Sequence, residues 1–339
     1  MRVLVFGDPH FRATNEAQTQ ALTRWTRAFF TESEAPRVDA AVVLGDILHN
    51  HDRIDVHSLT RAIEFLSTLH AGLRGRPMWV LIGNHDRPNN MCYLTEEHAF
   101  TAIKSWDNVV VADDEAKVVS AGGKRFVLVP YVPNGKFGNA IAPLVASGDL
   151  AAATAVFAHQ EFRGCKLGTT VSKNGDIYPI EHPLCISGHI HDYSSPQKNI
   201  IYVGTPFETS WTQKGTRGPV LVDFSGEPVL HRMPITSPVD TVITVRPADL
   251  PSLLESGVKT SRVKLVCSSA NEYQAVKASD AFAQIKKRSS ITVKVEHQHT
   301  EAIKIAKSAL APFAVRINGV LKDAPDGVAS VIRKTFQFL

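Results

Sequence analysis

An α/β layered core with a small second domain is the fold class this sequence predicts, and three observations carry it. Short β-branched apolar runs alternate with longer stretches of helical periodicity over the first two-thirds of the chain. Five of those runs end in Asp, Asn or His, as strands do when their carboxyl ends share one crevice. Past two prolines, Pro234 and Pro238, the pattern restarts with a different charge balance.

Residues 3–6, 41–44, 79–82, 109–111, 126–130, 155–158, 184–187, 200–203 and 219–224 read as buried strands. Between the first two, residues 16–30 place Ala21, Leu22, Trp25 and Phe29 on one helical face, with Asn15 as the expected N-cap. Between the second and third, residues 56–73 place Leu59, Ile63, Leu66 and Leu69 at helical spacing, with Asp55 available to cap. Beyond the linker, strands over 262–267 and 291–296 flank a helix over about 272–287, capped by Asn271. Two amphipathic segments, 300–310 and 328–338, follow. The expected domains are therefore 1–232, 239–300 and a C-terminal helical segment, 301–339.

With 339 residues, 44% hydrophobic and 21% charged, the chain has material for a large core and is neither disordered nor fibrous in type. No apolar run approaches the roughly 20 residues of a membrane-spanning helix. The four cysteines, Cys92, Cys165, Cys185 and Cys267, show no C-x-x-C spacing, so a reducing, cytoplasmic setting is expected. The net charge is only +4, but residues 259–307 carry ten Lys/Arg against four acids, which leaves −2 for the rest. A basic module joined to a slightly acidic body suits a polyanion partner beside a cation site.

The chemistry lies where the strands end. Residues 3–6 run into Gly7-Asp8-Pro9-His10, 41–44 into Gly45-Asp46-Ile47-Leu48-His49, and 79–82 into Gly83-Asn84-His85-Asp86. Residues 155–158 run into His159, and 184–187 into Gly188-His189-Ile190-His191. Carboxylates, one amide and several imidazoles gathered in a crevice need something to satisfy them, and a pair of divalent metals does so. Mixed N/O ligation without thiolate suits Mn, Fe or Zn, and two such ions can stabilise an in-line displacement at phosphorus.

This motif set resembles that of the calcineurin-like metallophosphoesterase superfamily, a layered β-sandwich flanked by helices. Within it, His49 three residues after Asp46, and Tyr202-x-Gly204-Thr205-Pro206 after the His-x-His motif, resemble the Mre11/SbcD nucleases. The short chain is most similar to compact phage subunits of the T4 type. The resemblance implies one metal on Asp8, His10 and His191, a second on Asn84, His159 and His189, and Asp46 bridging them, with Mn2+ the expected ion. It implies His85 near the leaving group, Asp86 orienting it, and His49 positioning the phosphate. His51, His57 and His98 are left as structural or surface residues.

Arg53 and Arg87, just past the second and third motifs, and the basic trio Lys286, Lys287 and Arg288 are candidates for contact with DNA. By the same resemblance the chain is expected to be a DNA exonuclease and endonuclease in repair and recombination. It would form a homodimer through residues 56–73 and 91–106, pair with a Rad50/SbcC-like ATPase through the C-terminal segment, and work near the nucleoid of a bacterial or phage-infected cell. Residues 239–296 would form a small α+β capping domain. Two other readings stand beside it. A phosphoprotein phosphatase or small phosphodiesterase shares the fold, but the arginine that follows Gly-Asp-x-x-Asp in such phosphatases has no counterpart after Gly45-Asp46. A non-catalytic scaffold would require lost ligands, and all seven are present.

Overall fold

Each of the nine apolar runs read as strands in the first domain is a strand, and the reason lies in burial on both faces. The computed structural model describes residues 1–32, 36–168, 170–208, 216–235, 242–255, 262–287 and 292–297. The chain divides into two compact units, Met1–Asp240 and Thr241–Leu339. In the first unit the order is β1 (Arg2–Phe6), α1 (Glu16–Thr31), β2 (Ala40–Val43), α2 (Val56–Leu73), β3 (Met78–Leu81) and β4 (Val109–Ala112). Then come β5 (Lys117–Ala121), β6 (Lys124–Val129), α3 (Phe137–Ala146), β7 (Ala155–His159), β8 (Lys166–Leu167) and β9 (Thr170–Val171). The unit ends with β10 (Cys185–Gly188), β11 (Ser194–Gln197), β12 (Ile200–Tyr202), β13 (Val220–Asp223) and β14 (Val229–Arg232).

Two six-stranded sheets result, ordered β14-β13-β1-β2-β3-β4 and β11-β12-β10-β7-β6-β5. Strands β1 to β4 are mutually parallel, as are β6, β7, β10 and β12, with antiparallel strands at the flanks. Alternate residues serve different layers. Val3, Val5, Val42, Trp79 and Leu81 pack against Phe126, Leu128, Phe157 and Ile186 of the other sheet. Leu4, Phe6, Val43 and Val80 face Leu22, Phe65 and Leu66 of the helices. Both faces must be apolar in such a layer, hence the unbroken hydrophobic runs. This is the predicted layered sandwich flanked by helices.

Asp55 caps α2 as expected, its Oδ2 accepting the Ser58 N–H at 2.9 Å. Asn15 stands at the N-cap position of α1 as expected, but its side chain makes no cap hydrogen bond. Its carboxamide accepts from the Arg12 N–H at 3.1 Å and donates to the His10 carbonyl at 2.9 Å, so it braces the first motif instead. Residues 91–106, expected as a dimer helix, hold turns and a short 3-10 helix, Thr101–Ser105.

The second unit contains β15 (Val242–Val245), α4 (Leu250–Glu255), β16 (Arg262–Cys267), α5 (Ala270–Lys277), α6 (Asp280–Lys287) and β17 (Thr292–His297). Its three strands form one parallel sheet, β15-β16-β17, over a core of Leu250, Val263, Leu265, Val276, Phe282 and Ile285. The single helix expected there is two helices, α5 and α6, and Ser269 replaces Asn271 as the cap, its Oγ accepting the Glu272 N–H at 3.1 Å. Residues 301–339 lie outside the described residues, and with them the expected C-terminal helical segment.

Candidate metal centre

Parallel strands present their carboxyl ends on one edge, and each strand here continues straight into a polar loop. From the first sheet, β1 delivers Asp8 and His10, β2 delivers Asp46 and His49, and β3 delivers Asn84 and His85. From the second, β7 ends on His159, and β10 runs into His189 and His191. Asp8, His10, Asp46, Asn84 and His159 are buried.

Four donor atoms form a close cluster. Asn84 Oδ1 lies 3.3 Å from His159 Nε2 and 3.2 Å from His189 Nδ1. Those two ring nitrogens are 3.3 Å apart, and Asp46 Oδ1 is 3.4 Å from His159 Nε2. Ligands on a cation bound at about 2.0–2.1 Å stand roughly 3.3 Å from one another in a tetrahedral arrangement. His159 donates its Nδ1–H to the Leu44 carbonyl at 2.7 Å, which turns Nε2 inward, as an outer hydrogen bond does for a metal-ligating imidazole.

A second cluster adjoins it. His10 Nε2 lies 2.9 Å from His191 Nε2 and 3.7 Å from Asp46 Oδ2. Asp46 thus turns one oxygen toward each cluster. Asp8 Oδ1 accepts the His189 N–H at 3.0 Å, while its Oδ2 is buried with no hydrogen-bond partner. An orphaned carboxylate oxygen and ring nitrogens aimed at one another are costly without a cation. The donor set therefore suits divalent cations: Asp46, His159 and His189, with Asn84 beside them, would hold one, and His10, with His191 next to it and His49 and His85 in reach, offers donors for another.

The fields follow the burial. Burial raises the Asp8 carboxyl. It works the same way on Asp46, but His159 and His10 hold that carboxyl well below the carboxylate range. Burial opposes charge on His159, yet Asp46 and Asp8 raise it to about 9. Burial and the charge of His159 lower His189 to about 3, and burial with Arg12 lowers His49 to about 4.

Two glycines allow the approach. A Cβ on Gly83 would stand 2.2 Å from Asp46 Oδ1, and one on Gly188 would stand 2.7 Å from Asp8 Oδ1.

His85 occupies the rim. Its Nδ1–H donates to the His49 carbonyl at 2.6 Å, and its ring lies between two others: His49, parallel at 5.5 Å, and His51, at 4.6 Å. The His10 ring meets its edge at 5.1 Å. Asp86 does not orient His85. Its carboxylate accepts the Leu48 N–H at 2.9 Å and the Gly83 N–H at 3.0 Å, tying the second motif to the third; burial and the Asp46 charge raise it to about 7.

Arg87 cannot meet DNA: it is fully buried, and its guanidinium donates to the Thr95 and Asp113 carbonyls at 2.8 and 2.6 Å. Arg53 is exposed. Lys286 and Lys287 end α6 in the second unit, and Arg288 lies outside the described residues.

Sequence reasoning missed several neighbours. His51, expected as a structural or surface residue, stacks on His85 at 4.6 Å; its place two residues after His49, in a loop of bends, gives no periodic signal for this. Arg12 Nη1 lies 3.0 Å from His49 Nε2, Asn84 Nδ2 donates to Asn90 Oδ1 at 3.1 Å, and the Tyr131 ring stacks on His189 at 6.0 Å. Nothing in the sequence marks these three.

The comparisons with known proteins agree with this geometry. A calcineurin-like phosphoesterase family profile matches residues 1–193. The chain is 36% identical over 327 residues to "Putative phosphoesterase 078R" of Invertebrate iridescent virus 3, covering 94% of this chain and 89% of that protein. It is 32% identical over 276 residues to "Putative phosphoesterase 244L" of Invertebrate iridescent virus 6, covering 80% and 95%. A solved Aquifex aeolicus protein of unknown function, AQ665, overlays with a TM-score of 0.26 at 13% identity, over 48% of this chain and 79% of that one, too weak a likeness to carry an argument. Among the described residues no helix is long and apolar enough to cross a membrane. Donor set, layered fold and family match coincide: the chain belongs to the calcineurin-like phosphoesterases, hydrolases that bind divalent metal.

Proposed function

We propose that the chain is a Mn2+-dependent DNA nuclease that hydrolyses phosphodiester bonds, an exonuclease and endonuclease of the Mre11/SbcD kind. The observation that carries the proposal is the stack of His49, His85 and His51 beside the two donor clusters, where the second motif supplies imidazoles. Bound divalent cations supply the positive charge that draws in a phosphate group and acidifies water at neutral pH. His85, with Nδ1 committed to the His49 carbonyl, presents Nε2 to the departing oxygen as acid or hydrogen-bond donor. Its two flanking rings and the His10 edge hold its plane. His49, 3.0 Å from Arg12, positions the phosphate; Arg53 in the first unit, and the basic trio Lys286, Lys287 and Arg288 in the second, are the cations for DNA.

Homodimer formation and pairing with a Rad50/SbcC-like ATPase in DNA repair and recombination, within the cytoplasm, belong to the same proposal. Support for self-association comes from Ile54, Val56 and Met91, exposed at 38, 77 and 72% near the second and third motifs.

A phosphomonoesterase is the second reading. Arg12 favours it, because a guanidinium beside His49 supplies from the first motif what the second motif lacks. Digestion of linear duplex DNA with Mn2+, run beside hydrolysis of p-nitrophenyl phosphate and bis-p-nitrophenyl phosphate, separates the two. The proposal expects DNA and the diester to be cleaved. Turnover of the monoester alone would overturn it.

A further inference from the structure

Among the seven donors, Asn84 is the one whose side chain has two chemically different ends of nearly the same shape. Turned one way it offers a carbonyl oxygen, turned the other an NH2 group that no cation accepts. Neither His159 nor His189 settles the choice, since a ring nitrogen can face either end. In the structure Asn84 Nδ2 donates to Asn90 Oδ1 at 3.1 Å, which leaves Asn84 Oδ1 facing the two rings.

We propose that Asn90 is a positioning residue that pins the Asn84 carboxamide with Oδ1 toward the cation shared with His159 and His189. The inference rests on Asn84 being a metal ligand. Asn90 is itself held in place. Asn89 Oδ1 accepts the Met91 N–H at 2.8 Å and the Cys92 N–H at 3.1 Å, closing a turn around it. The same loop is anchored at its base by the buried Arg87, through the Thr95 and Asp113 carbonyls. Asn90 is exposed, so its replacement disturbs no packing.

The test is stepwise Mn2+ titration of the full-length protein by calorimetry, comparing wild type with Asn90→Ala, Asn90→Leu and Asn90→Asp. Loss of such an outer hydrogen bond weakens a metal site by about 10–100-fold. Ala and Leu are expected to weaken one of the two binding steps by at least about tenfold and leave the other within about twofold. Asp is expected to restore the weakened step, because an ionised carboxylate only accepts and so still holds Asn84 Nδ2. Melting temperatures of the metal-free variants should match wild type.

An unchanged isotherm for Ala and Leu would overturn the proposal. So would an Asp variant no better than Ala, or one that tightens both steps alike, which is an effect of charge alone. Failure of wild type to bind Mn2+ would instead overturn the metal centre, and this inference with it.

Discussion

Replacing Asp86 separates two roles that a carboxylate next to His85 could have. Its oxygens accept two buried backbone N–H groups, from Leu48 at 2.9 Å and Gly83 at 3.0 Å, and none from His85. At about pH 8.5, above the raised value of about 7, the carboxyl is ionised, and hydrogen bonds to a charged acceptor contribute about 1.5–3 kcal/mol each, so Asp86→Ala, which orphans both donors, should there destabilise the fold by about 3–6 kcal/mol. Asp86→Asn keeps one accepting oxygen and turns an NH2 against the other donor, for a cost of about 1.5–3 kcal/mol. Either is a large share of a typical stability of about 5–15 kcal/mol. All four tryptophans, Trp25, Trp79, Trp106 and Trp211, lie within Met1–Asp240, so their fluorescence reports on the unit that holds the site. Urea unfolding of the full-length protein in chelator should show a lower midpoint at unchanged slope. Chelator keeps metal binding from masking the loss. If Asp86→Asn unfolds at the wild-type midpoint yet loses more than about a hundredfold in hydrolysis, a loss of general acid–base size, the carboxylate acts on His85 and the reasoning fails.

His85→Ala should leave the Mn2+ isotherm intact while phosphodiester turnover falls by about 10²–10⁴, the usual contribution of a positioned acid or base; a near-normal rate would remove His85 from the chemistry. Gly83→Ala places a methyl 2.2 Å from Asp46 Oδ1, so Mn2+ affinity should fall by at least about tenfold, as it does when ligand support is lost; the same titration checks it. Acid stability should depend on Asp113. Burial works to raise that carboxyl, but His98 at 2.9 Å and Lys104 at 2.6 Å hold it well below the usual carboxylate range. A lowered folded pKa gives stability that is complete above the unfolded value of about 3.9 and is lost as pH falls through the folded one. Lys104→Met should remove about 1–3 kcal/mol at neutral pH and move the acid-unfolding midpoint upward, read by circular dichroism against pH.

How far the sequence could be read depended on whether a feature was local. Buried parallel strands announce themselves because both faces are apolar, so β1, β2, β3, β7 and β10 were legible together with the polar residues that end them. Strands β5 and β11 and the ribbon of β8 and β9 were not, because their exposed faces break the apolar run. Helix α3 was missed for its brevity and for Pro143 within it. The same limit separated the site residues. Metal ligands follow strands at fixed offsets, and a linear pattern finds them. Arg87 lies one residue past the third motif, as a DNA contact would, but its partners at Thr95 and Asp113 are tertiary and took it into the core.

Backbone strain at the centre was wholly hidden, and the acidic residues that offer oxygens there also hold the strained backbone in place. Asp8, His10, Asp46 and His189 have φ of 22, 46, 47 and 76°, the left-handed region that glycine fills most easily. Glycine would relieve each position, but it carries no donor atom, so the side chain stays and the strain, about 1–3 kcal/mol per residue, must be offset nearby. The offsets come from the ligands themselves. Asp8 Oδ1 accepts the His189 N–H at 3.0 Å, Asp46 Oδ1 accepts the His85 N–H at 2.9 Å, and the Asp46 carbonyl accepts the His10 N–H at 2.9 Å. Asn15 adds its bond to the His10 carbonyl. Each acidic ligand therefore fixes the backbone of another site residue besides offering an oxygen to the cation. These bonds lock the ends of β1, β2, β3 and β10, drawn from both sheets, to one another.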